Sequence, residues 1–242
     1  SECVMSLFAD SILLKPAGEN LWAGEADPAY ARQGGRFGGW TAAVLLRAAM
    51  LEPGERGDPL SLTALYTDAI GDGPVEVSTR LLRQGSRLQF WRSEISQRGK
   101  LCAHAQVTFG HRRKTTAFTD AVMPSPPPPE SDKLVESVPP VPFGQQFSAR
   151  WATASPLLAD VDGPASSLFW IKDKFGRGID HVLLTAMADF APPRVIYKTK
   201  KFVNSSTVSM TVHFHATDDE LVQVNDGYVL SEVHCRRCEG GY

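Results

Sequence analysis

Two stretches of this chain form helices with no polar side to turn toward water. Residues 37 to 51, "FGGWTAAVLLRAAML", are rich in Ala and Leu and carry apolar residues on nearly every side. Residues 179 to 190, which include most of "HVLLTAMADFAPPR", have the same character. A short helix that is hydrophobic all round must be wrapped by other structure. The two can be laid over each other. Gly39 is followed 14 positions later by Pro53, and Gly178 is followed 14 positions later by Pro192. Each helix therefore starts after a glycine and stops before a proline, as backbone sterics prefer. Repetition at this scale points to one structural unit used twice.

The segments around the helices read as sheet. "VEVSTRL" alternates, with Val75, Val77, Thr79 and Leu81 on one face. "CAHAQVTF" places Ala103, Ala105, Val107 and Phe109 on a shared face. A period of two marks strands with one buried side. Gly85-Ser86 and Arg98-Gly99-Lys100 supply tight turns, so neighbouring strands are expected to be antiparallel. In the second half "SLFWIKDK" and "TVSMTVHFH" read as strands. Between the halves lies "VMPSPPPPESDK" (122 to 133), whose consecutive prolines remove backbone donors and favour a stiff, extended connector.

A curved antiparallel sheet gripping a buried helix, twice in tandem, is a double hotdog of α+β class. The expected division is residues 1–115 for the first copy, 116–145 for the Pro-rich linker and 146–242 for the second copy.

Composition narrows the function classes. Apolar residues make up 43% of 242, ample for a core, and the formal net charge is -2. That balance gives no electrostatic reason to expect nucleic acid as a partner. The longest apolar run is roughly 14 residues, short of the ~20 that span a bilayer. No basic region followed by an apolar segment and a cleavage site is read at the N-terminus. Cys3, Cys102, Cys235 and Cys238 form no disulfide framework, which fits a reducing cytoplasm. Cys235-x-x-Cys238 lacks the second ligand pair of a zinc site, and His213-x-His215 lacks a third ligand.

One residue stands out against the apolar pattern. Asp189 sits near the end of the second helix, where the overlay puts Met50 in the first. It can be a polar helix end that finds backbone or solvent partners, or it can be a catalytic carboxylate. "GGWTAAVLLRAA", then "SLTALYTDAIGDGPVEVSTRLLRQGSRLQFWRSEISQRGKLCAHAQVTF", then "LLTAMADFAPPR" resemble, in order and spacing, the acyl-CoA thioesterase II group of double-hotdog proteins. The resemblance implies hydrolysis of acyl-CoA thioesters by water oriented by an Asp, a Thr and a Gln. The Asp position falls on Asp189. The Thr position falls on Thr207 in "NSSTVSMTVHFH", with Ser205 and Ser206 beside it. The Gln has no clear counterpart. Either the last strand or two of the second copy lie outside this sequence, or "DGYVLSEVH" is the final strand and His234 takes the Gln place.

Asp189 is expected to be mostly ionised at neutral pH and to accept a proton from the attacking water. Backbone N–H groups of Gly38 and Gly39, or of Gly178, are candidate oxyanion donors at a helix start. Trp40, Phe90, Trp91, Phe169 and Trp170 are candidates to line an acyl channel. Arg83, Arg87, Arg92 and Arg150 are candidates to meet the CoA phosphates. Neither a metal nor a redox cofactor is required, since CoA belongs to the substrate. A homo-oligomer is expected by analogy. The alternatives are a double hotdog that binds acyl-CoA or another apolar ligand without turnover, and a hydratase using His181. The second suffers because His181 lies about two helical turns from Asp189.

Overall fold

The computed structural model of the chain describes residues 7–153, 155–156, 158–176, 178–224 and 227–241. The first half runs α1 (Phe8–Ser11), β1 (Lys15–Gly18), β2 (Leu21–Ala26), β3 (Ala31–Arg32), β4 (Gly35–Arg36), α2 (Gly38–Leu51), β5 (Asp58–Tyr66), β6 (Gly73–Gln84), β7 (Leu88–Gln97) and β8 (Lys100–Gly110). The second half runs β9 (Val135–Glu136), β10 (Phe147–Trp151), β11 (Ser166–Asp173), α3 (His181–Ala188), α4 (Ile196–Thr199), β12 (Ser209–His213), α5 (Asp218–Leu221) and β13 (Val229–His234).

Helix α2 is the axis of the first lobe. Its interior carries a single β-branched pair, Thr41 and Val44, among Ala and Leu, and Glu52 turns extended (ψ 144°) ahead of Pro53. Val44, Leu45 and Leu46 are wholly enclosed, and each such side chain contributes about 1.5–3 kcal/mol by leaving water. The sheet around it is antiparallel throughout, in the order β1-β2-β6-β7-β8-β5-β12. Val75 and Val77 of β6 and all four of Ala103, Ala105, Val107 and Phe109 of β8 face the core, as their alternation requires. Leu81 keeps the expected face, opposite the buried Trp91, but is 41% exposed. A bulge between Leu81 and Arg83 breaks the two-residue period beyond it.

Helix α3 is shorter than the 179–190 expected. Asp180 caps its start by accepting the Leu183 N–H at 2.7 Å, and Asp189 is the C-cap residue (φ −99°, ψ 3°). The Pro192-Pro193 pair supplies no backbone donors to extend it. Helices α2 and α3 lie against each other. A methyl group on Gly39 would come within 2.4 Å of the Ala186 carbonyl oxygen, so a glycine there is what lets the two backbones touch.

The two lobes share strands. β12 joins the outer edge of β5, with Ser209 opposite Leu65 and His213 opposite Ser61. The remaining strands form a separate sheet, β13-β11-β10-β9. In the first lobe β7 and β8 stand between β6 and β5. Among the described residues no strand stands between β13 and β12, their counterparts in the second lobe.

The connector is extended, as its prolines demand, and it is also fastened. Trp170 Nε1 donates to the Pro127 carbonyl at 2.9 Å, and Arg150 donates to the carbonyls of Pro129 and Ser131. Its last turn, Pro142–Gln146, places the Phe143 ring in parallel stack on Phe37 of the first lobe, centroids 4.2 Å apart. Such a pair adds about 0.5–1.5 kcal/mol beyond its buried area. Among the described residues no helix is long and apolar enough to cross a membrane.

Candidate active site

Asp189 and Thr207 lie 18 positions apart and meet in space. Thr207 Oγ1 donates to Asp189 Oδ1 at 3.0 Å, with the other carboxylate oxygen at 3.3 Å. Thr207 precedes β12, and the pairing of that strand with β5 continues through the Tyr66 N–H to the Val208 carbonyl at 3.0 Å. The strand addition thus holds Thr207 against the first lobe, next to the start of α2. This resolves a difficulty in the sequence, where Thr207 shares a strand face with Ser209, Thr211 and His213 rather than with the apolar residues. Thr207 reaches Asp189 from ahead of the strand, at the seam between lobes.

The Asp189 carboxylate is pushed up to about 6. Desolvation is the main cause, since burial penalises the charged form. Three groups oppose it: the Thr207 hydroxyl, the Gly39 backbone N–H and the Arg32 guanidinium. The Gly39 contact has a structural origin. The N-cap of α2 is Phe37, which offers no side-chain acceptor, and the first N–H groups of a helix lack intrahelical partners. A carboxylate from the other lobe fills that place, favoured by the positive end of the helix dipole. Asp189 is therefore a helix-end residue twice over: it ends α3 and faces the start of α2.

Tyr66 adds to the frame. Its hydroxyl donates to the Gly38 carbonyl at 2.9 Å. Its own proton is held more tightly than usual, first by burial and then by the charge of Asp189.

Two cavities meet here. One, of about 320 Å³, is lined by polar groups that include Arg32, Arg36, Tyr66, Asp68 and Asn204. The other, of about 460 Å³, is walled by Phe37, Val141, Phe143, Phe190, Ile196 and Phe202, with Asp189 on its surface. Gly38, Ser206 and Thr207 belong to both, as do Arg32, Gln33 and Asn204. Arg32 spans the seam, its guanidinium donating to the Ser205 carbonyl at 2.6 Å. Arg36 is buried and held by the Ala26 carbonyl (2.9 Å) and Asp72 (2.6 Å).

Several sequence candidates lie elsewhere. Trp40, Trp91 and Phe169 are buried core, and neither they nor Phe90 and Trp170 line the cavities at Asp189. Arg83, Arg87, Arg92 and Arg150 line neither cavity; the arginines there are Arg32, in both, and Arg36, in the smaller. Gly178 lines neither cavity, and a methyl group on it would meet nothing within 4 Å, whereas Gly38 is at the site. His234 ends β13, is exposed and contacts Glu232 at 3.2 Å. It lines neither cavity.

His181 is buried within reach of Asp218 (2.8 Å) and the Ala216 carbonyl (3.0 Å), away from Asp189. Cys102, Cys235 and Cys238 are free thiols, and Cys3 lies outside the described residues. Among the described residues no three His, Cys, Asp or Glu side chains come together as a metal site would need. Sequence reasoning missed the site's two amides, Gln33 and Asn204. Both lie in loops, and the only signal was their closeness to the Gly-rich start of α2 and to the serines before Thr207.

Two tandem lobes, each with a sheet packed on a buried helix, joined at a carboxylate–hydroxyl pair, define a double-hotdog protein. The N-terminal domain profile of acyl-CoA thioesterases matches residues 26–110, and the C-terminal domain profile matches residues 119–242. The chain belongs to the acyl-CoA thioesterase family. Among solved structures, a hot dog fold protein of unknown function from Alicyclobacillus acidocaldarius is 31% identical, with a TM-score of 0.86 over 94% of this chain and 85% of that one. A putative thioesterase II from Thermobifida fusca is 20% identical, with a TM-score of 0.84 over 98% and 88%. An acyl-CoA thioesterase II from Mycobacterium marinum is 17% identical, with a TM-score of 0.73 over 97% and 88%. No curated protein matches the chain.

Proposed function

We propose that the chain hydrolyses acyl-CoA thioesters with a water molecule oriented by Asp189 and Thr207. The observation that carries this reading is the position of the Asp189–Thr207 pair, bonded at 3.0 Å, where a polar and an apolar cavity meet. A thioester substrate has the same division: an apolar acyl group, a reacting carbonyl and a polar thiol carrier.

In its ionised form Asp189 takes a proton from water as the water oxygen bonds to the thioester carbonyl carbon. Thr207 both donates and accepts, so it holds the carboxylate and the water in line. The carbonyl oxygen gains negative charge and faces the Gly38 N–H at the start of α2, since the Gly39 N–H is held by Asp189. The tetrahedral adduct then collapses: the C–S bond breaks and the acid forms. The thiolate takes up the proton that Asp189 holds. Arg32 gives the polar side a positive charge suited to a phosphorylated carrier, while the charge of Arg36 is already met by Asp72. The reaction proposed here uses no metal or redox group, and the setting proposed is the cytoplasm.

The test is thiol release from acyl-CoAs of several chain lengths, followed with a thiol-detecting reagent. Release that disappears in Asp189→Asn supports hydrolysis. Tight binding without release would replace the enzyme with a module that only holds acyl-CoA. Neither binding nor release would remove both readings.

A further inference from the structure

The apolar cavity has two walls of different origin. One is built by the segment that follows Asp189: Phe190, Pro192, Ile196 and the exposed Phe202. The other is built by the end of the Pro-rich connector: Pro139, Pro140, Val141 and Phe143. The connector turn that carries Phe143 begins at Pro142, whose ring restricts the backbone there.

The Phe143 ring stands between the lobes. It stacks on Phe37, the residue before α2, and meets Phe190, the residue after Asp189, edge-on at 6.3 Å. Behind it the aromatic packing continues. Phe147 meets Phe190 at 5.3 Å and Phe37 at 6.3 Å, and Phe169 meets Phe190 at 6.0 Å. Phe147, Phe169 and Phe190 are fully buried, whereas Phe143 is only partly so. Phe143 is thus the aromatic ring of this stack that the connector lays over the cavity, and it is the one that can be trimmed without opening the deep core.

We infer that Phe143 is a specificity-determining residue that limits the length of the acyl group the cavity accepts. The inference rests on the proposed thioester substrate, and it assigns the connector a second role besides joining the lobes. A straight acyl chain leaving the carbonyl at Asp189 runs along Phe190 and meets the Phe37–Phe143 stack. Removing the Phe143 ring lengthens the apolar space and keeps its chemistry. Enlarging Val141 on the same wall shortens that space.

Calorimetric binding of butyryl-, octanoyl- and palmitoyl-CoA tests this directly in the full chain, with thiol release measured in parallel. Phe143→Ala is expected to shift the ratio of palmitoyl to butyryl affinity upward by about tenfold, the size of effect that added apolar contact gives in a pocket. Phe143→Leu, which keeps most of the volume, should stay near the parent ratio, and Val141→Phe should shift it the other way. Thermal melts establish that each variant is folded. If Val141→Phe and every folded Phe143 variant keep the parent ratio, the inference is overturned. A shifted ratio without thiol release from any acyl-CoA would uphold the length limit while removing hydrolysis. An unshifted ratio with full release would do the reverse.

Discussion

Gly38 and Asp189 touch across the seam between the lobes. A methyl group on Gly38 would lie 2.6 Å from Asp189 Oδ2 and 3.2 Å from Thr207 Oγ1. The start of one buried helix and the end of the other are therefore in direct contact, and their opposite dipole ends face each other with the carboxylate between them. Neither lobe holds this arrangement alone.

Gly38→Ala follows from that contact. Gly38 opens α2 as an ordinary helical residue, and Ala in a helix is favoured over Gly by up to about 1 kcal/mol. The fold should survive, with an unchanged circular dichroism spectrum. The added methyl must displace the carboxylate, so steady-state kinetics should show kcat lower by at least about tenfold, a small loss for a moved catalytic group.

The neighbouring glycine gives the opposite result. A methyl on Gly39 would press on the Ala186 carbonyl, which is backbone and cannot swing away. Gly39→Ala should cost about 1–3 kcal/mol by overpacking, measured by urea unfolding. Gly178→Ala, where a methyl meets open space, should be close to neutral in the same assay.

The pH dependence of kcat/KM should show an acid limb near the Asp189 value of about 6, with activity rising as the carboxylate ionises and then levelling. The Thr207 hydroxyl is the strongest group lowering that value. Thr207→Val should move the limb to higher pH, and Thr207→Ser should leave it in place. A limb that ignores Thr207→Val would show that a different group titrates.

Stability should carry the mark of the same group with its own sign. Folding raises the Asp189 pKa from 3.8 to about 6, so the native state binds a proton more tightly than the unfolded chain does. Ionisation therefore costs stability. The cost is absent below the unfolded value of 3.8 and fully present above about 6. Asp189→Asn removes it. The variant's melting temperature should exceed the parent's at about pH 8, and the gap should close as pH falls toward about 4. A gap that widens on acidification would contradict the raised value.

Much of the fold was legible because local rules governed it. The apolar wrapping of 37–51 and the Pro53 and Pro192 stops marked both helices, and the alternation at Ala103, Ala105, Val107 and Phe109 marked a buried strand face. The bulge after Leu81 was not visible, because a bulge is a property of two paired strands and one strand's residues do not announce it. Asp189 was visible as a charge where its counterpart in the first copy is Met50. The lining of the cavities was not visible. Phe143 and Phe202 sit in segments without period, and Arg32 reaches the seam through a two-residue strand.

By itself, then, the order of residues determined which segments must be buried and which proline each helix must stop before, since period and proline act over a few neighbours. Only the tertiary structure decided that β12 lies beside β5 of the first lobe, bringing Thr207 to Asp189 and both to Gly38. Alternation states which face of a strand is apolar, and it is silent on which distant edge will pair with it.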